Sequence, residues 1–250
     1  MIDLHCHILP GIDDGAPDLP TALMMLRLAA TNGITHMVAT PHIHPGRFDN
    51  DIKTITAAFR TLKAATLEND INVKLGMAAE VRIDPIAVKM LDDERIPFIG
   101  KRDGERILLV EMPHSHIPAG TDKFLGRLLD MNIRPLIAHP ERNKEAMRNP
   151  DRLQPLIDMG CLLQVTASSL AGGFGHQAYM VAAGLLEQGA VEILASDAHN
   201  TRHRPPELYP GMESAADIVG REEALKLVLD HPMQLAASQF SDSGCVDIVL

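Results

Sequence analysis

Tryptophan is absent from the 250 residues, tyrosine occurs twice and phenylalanine six times. So small an aromatic complement argues against a stacking surface for successive bases, and thirteen methionines point to an aliphatic core. The three cysteines, Cys6, Cys161 and Cys245, stand far apart with no Cys-x-x-Cys pair. That excludes a disulfide framework and a closed thiolate zinc site, and it fits a reducing compartment. No segment approaches the roughly 18 consecutive apolar residues of a membrane span. The opening Met1-Ile2-Asp3-Leu4-His5 has no cationic region leading into an apolar one. A cytoplasmic protein without membrane insertion is expected. Positive charge is also scarce, with 23 Lys and Arg against 33 Asp and Glu and a formal charge of -10. Such a field repels a phosphodiester backbone, so no nucleic-acid partner is expected, whereas a local cationic or metal-filled pocket still holds a phosphate.

What is present is alternation. Short apolar runs at 2–5, 34–40, 73–79, 107–111, 135–138, 162–165 and 192–196 read as strands. Between them, 19–30, 52–67, 121–131, 150–159 and 177–188 carry apolar residues at helical spacing, several ending beside Gly or Asn. Asp18 is placed to cap the first helix. The segment 210–216 is less regular, 222–229 again reads as helical, and the last dozen residues read as either a loose tail or a final edge strand. The pattern predicts an α/β chain of seven βα units in a single domain spanning 1–250.

His5-Cys6-His7 follows the first strand, where i, i+2 spacing turns both imidazoles to one side and Cys6 to the other, into packing. Alone the pair is a weak signal, because His-x-His arises by chance, as at His114-Ser115-His116. Its weight comes from company. Asp14 lies in the first loop, His42 follows the second strand and Glu80 the third, and Glu111 ends the fourth. His139 follows the fifth, and Asp197 and His199 follow the seventh, leaving only the sixth strand without a candidate. Any one of these has an ordinary explanation as a cap, a turn residue or a surface ion pair. In a closed ring of parallel strands, however, all C-terminal ends share one face, and the nine residues converge there. Carboxylate oxygens mixed with imidazoles suit Mn²⁺, Zn²⁺ or Fe²⁺ in an open catalytic site. Nine donors exceed the needs of one ion, so two or three metals are implied, with a carboxylate such as Glu80 bridging.

The segments Met1-Ile2-Asp3-Leu4-His5-Cys6-His7, Ile12-Asp13-Asp14-Gly15, Ala39-Thr40-Pro41-His42, Ala138-His139-Pro140-Glu141-Arg142 and Ser196-Asp197-Ala198-His199-Asn200 together resemble the polymerase and histidinol phosphatase (PHP) superfamily. More narrowly, they resemble its bacterial capsule-associated branch of manganese-dependent protein-tyrosine phosphatases, from the first residue to about Ala237, where His231-Pro232-Met233 is similar to the closing helix of the branch. The resemblance implies a distorted (β/α)7 TIM-like barrel with three divalent ions, Mn first and Zn or Fe as alternatives. It implies one ion among His5, His7, Glu80 and Asp197, a second among Glu80, Glu111 and His139, and a third among Asp14, His42 and His199. Arg142 and Arg204 match the phosphate-binding arginines of the branch, a role for which a permanently charged guanidinium fork is suited. The implied partner is the phosphotyrosine-bearing tail of a bacterial polysaccharide-assembly tyrosine kinase.

On this reading a metal-activated water attacks phosphorus in line while both arginines stabilise charge on the phosphoryl oxygens. No protein nucleophile is required, and none of the cysteines has a Cys-x5-Arg context. Arg47 and His44 share the loop of His42 and are candidates for the pocket wall. The competing readings are a small-molecule phosphatase of the histidinol phosphate type, a nuclease, and a metal-stabilised non-catalytic scaffold. Complete chelation is expected to abolish hydrolysis of p-nitrophenyl phosphate, and Cys6→Ser to retain most of it. Turnover that survives full metal removal would overturn the mechanism.

Overall fold

The computed structural model describes residues 1–240, so the reading of the C-terminal segment and Cys245 fall outside the described residues. Among the described residues there are ten strands: β1 (Ile2–Cys6), β2 (His36–Ala39), β3 (His42–Ile43), β4 (Lys74–Met77), β5 (Glu80–Arg82), β6 (Gly100–Arg102), β7 (Glu105–Glu111), β8 (Ile133–Ala138), β9 (Leu162–Thr166) and β10 (Val191–Ala195). The helices are α1 (Leu19–Thr31), α2 (Ile52–Glu68), α3 (Pro85–Asp92), α4 (Thr121–Asp130), α5 (Lys144–Arg148), α6 (Gln154–Asp158), α7 (Ala167–Leu170), α8 (His176–Glu187), α9 (Tyr209–Val219), α10 (Arg221–Lys226) and α11 (Asp230–Ala236).

Among the described residues all strand pairings are parallel except the β6–β7 hairpin, and they form two sheets, β1-β2-β4 and β10-β9-β8-β7-β5-β3. The sheets join where the second and third expected strands are each broken in two. Pro41 has no N–H for the ladder, and pairing resumes through Ala78 N–H to Ala39 O at 2.8 Å and Glu80 N–H to Pro41 O at 3.1 Å. At the other end β1 meets the chain beyond β10: Cys6 bridges to Ala198, His7 N–H donates to Ala198 O and Asp197 N–H to His5 O, both at 2.8 Å.

Alternation along the strands creates two cores. Ile107 and Leu109 of β7, Leu136 and Ala138 of β8, and Ile193 of β10 pack inside the ring with Leu4 and Val38. Leu108, Val110, Ile137, Leu163, Val165 and Leu194 face outward, under the helices. The same period of two carries Glu111 and Gln164 onto the inner face at the strand ends. Along β1 the pairing with β2 slips between Asp3 and Cys6, which passes the inward phase from Ile2 and Leu4 to His5 and His7.

The helices start as their sequences dictate. Asp18 accepts from Thr21 N at 2.8 Å to cap α1, and Asp51 with Thr54 forms a reciprocal capping box on α2. Two expectations change. The segment 150–159 divides into a 3-10 turn, Pro150–Leu153, followed by α6, and the irregular stretch at 210–216 belongs to a regular helix, α9, because Pro210 sits in its first turn, where no N–H is needed. The β6–β7 hairpin was unexpected, although Asp103-Gly104 at φ 53° and 85° is the two-residue turn that favours one. It seats the base of the ring against α11, where a Cβ on Gly100 would lie 2.2 Å from Leu235 O.

The brace across the closure is Asp3, fully buried, which accepts from Ser196 N at 3.0 Å, from Ser196 Oγ, and from His5 N at 3.3 Å. Asp3→Ala leaves the Ser196 donors buried without an acceptor and is expected to lower unfolding free energy by about 2–4 kcal/mol. Urea denaturation with chelator present checks this, and a change below about 0.5 kcal/mol would count against the brace.

Candidate metal centre

At the C-terminal end of the ring, His5 Nε2 and His7 Nε2 lie 3.2 Å apart. His5 Nε2 is 3.3 Å from both Glu80 Oε2 and Asp197 Oδ1, and His7 Nε2 is 3.3 Å and 3.4 Å from the same two oxygens. Donors about 3.0–3.4 Å apart are what an ion at about 2.1 Å subtends in octahedral or tetrahedral geometry. Both oxygens are buried without a hydrogen-bond partner. The far side of each imidazole is occupied instead: His5 Nδ1 donates to Gln164 Oε1 at 2.8 Å and His7 Nδ1 to Asp13 Oδ2 at 2.7 Å. Those bonds fix the tautomers and leave both Nε2 lone pairs facing the orphaned oxygens, which is the arrangement a divalent cation requires. The residues present therefore fit a metal.

The other predicted ligands surround this point. His139 Nε2 lies 2.9 Å from Glu80 Oε1 and 4.0 Å from Glu111 Oε1. His42 Nδ1 lies 3.0 Å from Glu80 Oε2 and 4.0 Å from Glu111 Oε2, while its Nε2 is 3.4 Å from Asp14 Oδ1. His199 Nε2 stands 3.6 Å from the same Asp14 oxygen, its Nδ1 donating to Asp197 O at 2.9 Å. All nine belong to donor groups compact enough for an ion: His7, Asp14, His42 and His199; His5, His7 and Glu80; His5, His139 and Asp197; and His42, Glu80 and Glu111. The grouping differs from the expected partition at His7, which joins the Asp14 set, at His42, which stands with Glu80 and Glu111 as well, and at His139, which groups with His5 and Asp197 rather than with Glu80 and Glu111.

Two strand-end residues, His139 and Asp197, hold left-handed backbone at φ 35° and 52°. This conformation is costly for non-glycine residues and aims both side chains back over the ring. Gly15 serves the first loop, where a Cβ would lie 2.0 Å from His7 O and force the loop off the ligand strand.

Charge is balanced within the cluster. Burial works against ionised Glu80 and Asp197, but His5, His42 and His139 around Glu80, and Arg142, His5, His7 and Arg204 around Asp197, hold both carboxyls well below the usual range. Burial likewise opposes charge on His42, yet Glu80 and Asp14 raise it to about 9. His5 and His7 are raised by the same carboxylate surroundings against burial, whereas burial and Arg142 push His139 down to about 3. Burial lifts the Cys6 thiol well above its normal value and Cys161 to about 11, so neither is a thiolate nucleophile at neutral pH.

Arg142 and Arg204 both donate to Asp197 Oδ2, and the Nε of each is buried without an acceptor. They line the cavity above the cluster with His44, Arg47, Arg82 and His114, so His114 borders the space while His116 does not. Arg82 donates to Glu111 Oε2 at 2.9 Å. Sequence reasoning missed Arg82, Phe174 and two orienting residues. Asp13 accepts from His7, from His42 N at 3.1 Å and from Gly15 N at 3.0 Å, and its signal was its place beside Asp14 in the first loop. Gln164 gives the sixth strand its role, and strand alternation from Leu162 was its signal.

The family model for capsular polysaccharide synthesis, CpsB/CapC, matches residues 1–237. The tyrosine-protein phosphatase YwqE of Bacillus subtilis is 35% identical over 204 residues, 82% of this chain and 79% of that protein. The tyrosine-protein phosphatase CpsB of Streptococcus pneumoniae is 28% identical over 244 residues, 96% of this chain and 99% of that one. A crystal structure from work on B. subtilis YwqE and S. pneumoniae CpsB, described as metal-dependent tyrosine phosphatases, superposes with TM-score 0.86 at 32% identity, covering 94% of each chain. A histidinol phosphate phosphatase of Lactococcus lactis, at 14% identity, TM-score 0.52 and coverage of 89% and 93%, shares the fold.

Metal loading must displace protons from this cluster. In the metal-free protein His42, His5 and His7 have values above the unfolded one of about 6.5. Their protonation therefore stabilises that state fully below about pH 6.5, and the contribution is lost as pH rises through about 9. The Tm of the chelator-treated protein is expected to fall across this window, and calorimetry in buffers of different ionisation enthalpy at pH 7 to show proton release on metal addition. A flat profile without proton release would contradict the charge assignment.

Proposed function

The chain belongs to the CpsB/CapC family of capsular polysaccharide synthesis and is a metal-dependent tyrosine phosphatase, and from that premise we propose how its own residues hydrolyse the phosphomonoester. The observation that carries the proposal is the meeting of Arg142 and Arg204 with seven of the nine metal-type donors at one cavity, the other two, His5 and His7, lying buried against them. We read the seven parallel strand positions, closed between Cys6 and Ala198, as a distorted (β/α)7 barrel in one domain, which gathers residues far apart in sequence.

Three ions are proposed: one at His5, His7, Glu80 and Asp197, one at Glu80, Glu111 and His139, and one at Asp14, His42 and His199. The mixed nitrogen and oxygen set supports manganese, with zinc or iron as alternatives. Bound divalent ions supply an acidified water and neutralise phosphoryl oxygens. The protein does the rest. Asp13 and Gln164 keep His7 and His5 oriented, Glu80 lies between the donor groups, and Arg142 and Arg204 present fixed positive charge where the phosphoryl group enters. Because both guanidiniums are already held by Asp197, they require little reorganisation as charge moves onto the phosphoryl oxygens. The buried thiols take no part.

The proposed physiological substrate is the tyrosine-bearing tail of a kinase of polysaccharide assembly, a reading supported by the family's place in capsule synthesis. Purified protein with Mn²⁺ is expected to dephosphorylate a phosphotyrosyl peptide at least about 100-fold more efficiently than histidinol phosphate. Arg204→Ala is expected to lower kcat/KM by about 10²–10³-fold. Equal turnover of both substrates would favour a small-molecule phosphatase, and no turnover with any of several metals a scaffold.

A further inference from the structure

The cavity above the metal donors carries positive charge on two sides. Arg142 and Arg204, which follow β8 and β10, stand on one half of the ring, where the phosphoryl group enters. His44 and Arg47 after β3, Arg82 at the end of β5 and His114 after β7 line the same cavity from the other half. None of these four is required to hydrolyse a lone phosphomonoester.

Arg82 is placed by strand register. It lies two residues beyond Glu80 on β5 and opposite Glu111 on β7, so all three share the inner face. Its Nη1 donates to Glu111 Oε2 at 2.9 Å and to Met112 O at 3.3 Å, whereas among the described residues its Nε and Nη2 donate no hydrogen bond. With 20% of the side chain exposed, the guanidinium is fixed by packing and still reaches the cavity. Arg47 is propped at the rim instead: its guanidinium lies 4.9 Å from the Phe48 ring centroid, Phe48 stacks on His42 at 5.4 Å, and Nη2 stands 3.5 Å from Asp14 Oδ2. Burial, then Lys144, Arg142 and Arg82, holds the His114 imidazole below its usual value, so His114 lies within electrostatic reach of both halves.

We propose that Arg47 and Arg82, with His44 and His114, bind a second anion of the substrate, a carboxylate or phosphate on a side chain close to the phosphorylated residue. The inference rests on the phosphatase reading. The carboxylates that line the cavity are Asp14, Glu80, Glu111 and Asp197, and all four belong to the metal-type donor groups. Once those groups hold cations, none is free to balance the arginines of the far half. One phosphoryl group at Arg142 and Arg204 does not reach them either, and what remains is an anion that the substrate brings. A planar fork with unused donors suits carboxylate and phosphate alike. An extended peptide advances about 3.3 Å per residue, so an acidic group one or two residues away stands about 3–7 Å along the cavity from the reacting phosphate.

The test uses the Mn-loaded full chain and phosphotyrosyl peptides of one sequence whose flanking positions carry alanine, aspartate or a second phosphotyrosine. Phosphonate analogues of the same peptides, titrated by calorimetry, measure binding apart from turnover. In wild type, kcat/KM and analogue affinity are each expected to be about three- to tenfold higher with an anionic flank than with alanine, the gain lying in KM, and to weaken with added salt. In Arg47→Ala and in Arg82→Gln the ratio is expected to fall to within about twofold of unity. A preference for the second phosphate alone would support the subsite and assign it to phosphate, and a preference for both flanks would assign it to either anion. Equal losses on all three peptides would mean that the arginines only brace Asp14 and Glu111, and would overturn the subsite, as would a wild type indifferent to the flanks. If wild type hydrolyses none of the peptides, the phosphatase reading falls and the subsite with it.

Discussion

Two carboxylate oxygens, Glu80 Oε2 and Asp197 Oδ1, lie buried in the ring without a hydrogen-bond donor. A buried carboxylate oxygen left without a donor is among the more expensive things a fold carries. Much of the surrounding architecture answers that cost. His5 and His7 stand within 3.4 Å of both oxygens, His42 and His139 flank Glu80, and two guanidiniums hold the other oxygen of Asp197. Cations on one side and carboxylates on the other leave a polar centre whose balance is completed by metal.

Such a centre has to be held against its own repulsions. Asp3 ties Ser196 to the first strand directly beneath Asp197, Asp13 locks His7 and the backbone of His42, and Gln164 reaches from β9 to His5. The left-handed turns at His139 and Asp197 store strain that this bracing holds in place. Stability and function meet in these residues, since the bonds that join strands across the closure also set the direction of each ligand.

The electrostatic layout separates scales. The whole chain is acidic, yet the cavity mouth carries Arg47, Arg82, Arg142 and Arg204. Long-range repulsion of polyanions therefore coexists with a short-range demand for compact anions, and the apolar surface at Phe174 on one edge gives the cavity a direction.

How much of this was legible in the sequence follows from which forces are local. The period of two in 107–111 and 135–138, helical spacing in 19–30 and 52–67, and His, Asp and Glu at strand ends are short-range patterns, and they revealed the α/β alternation and the residues that share one face. The breaks at Pro41 and Ala79, the Asp103-Gly104 hairpin and the regularity of α9 carried signals that apolar runs alone overlooked. Strand alternation placed Gln164 on the inner face, but its role as a site residue was not legible, because an amide on a strand has no chemistry until a histidine from another strand meets it. The sequence by itself determined that nine His, Asp and Glu side chains stand at strand ends or in the loops that follow them, since that depends on local patterns of alternation. Only the tertiary structure decided that His42 stands between Asp14 and Glu80, that both arginines share Asp197, and that Phe174 borders the cavity. Those distances exist only once β1 meets the end of β10 and the ring closes.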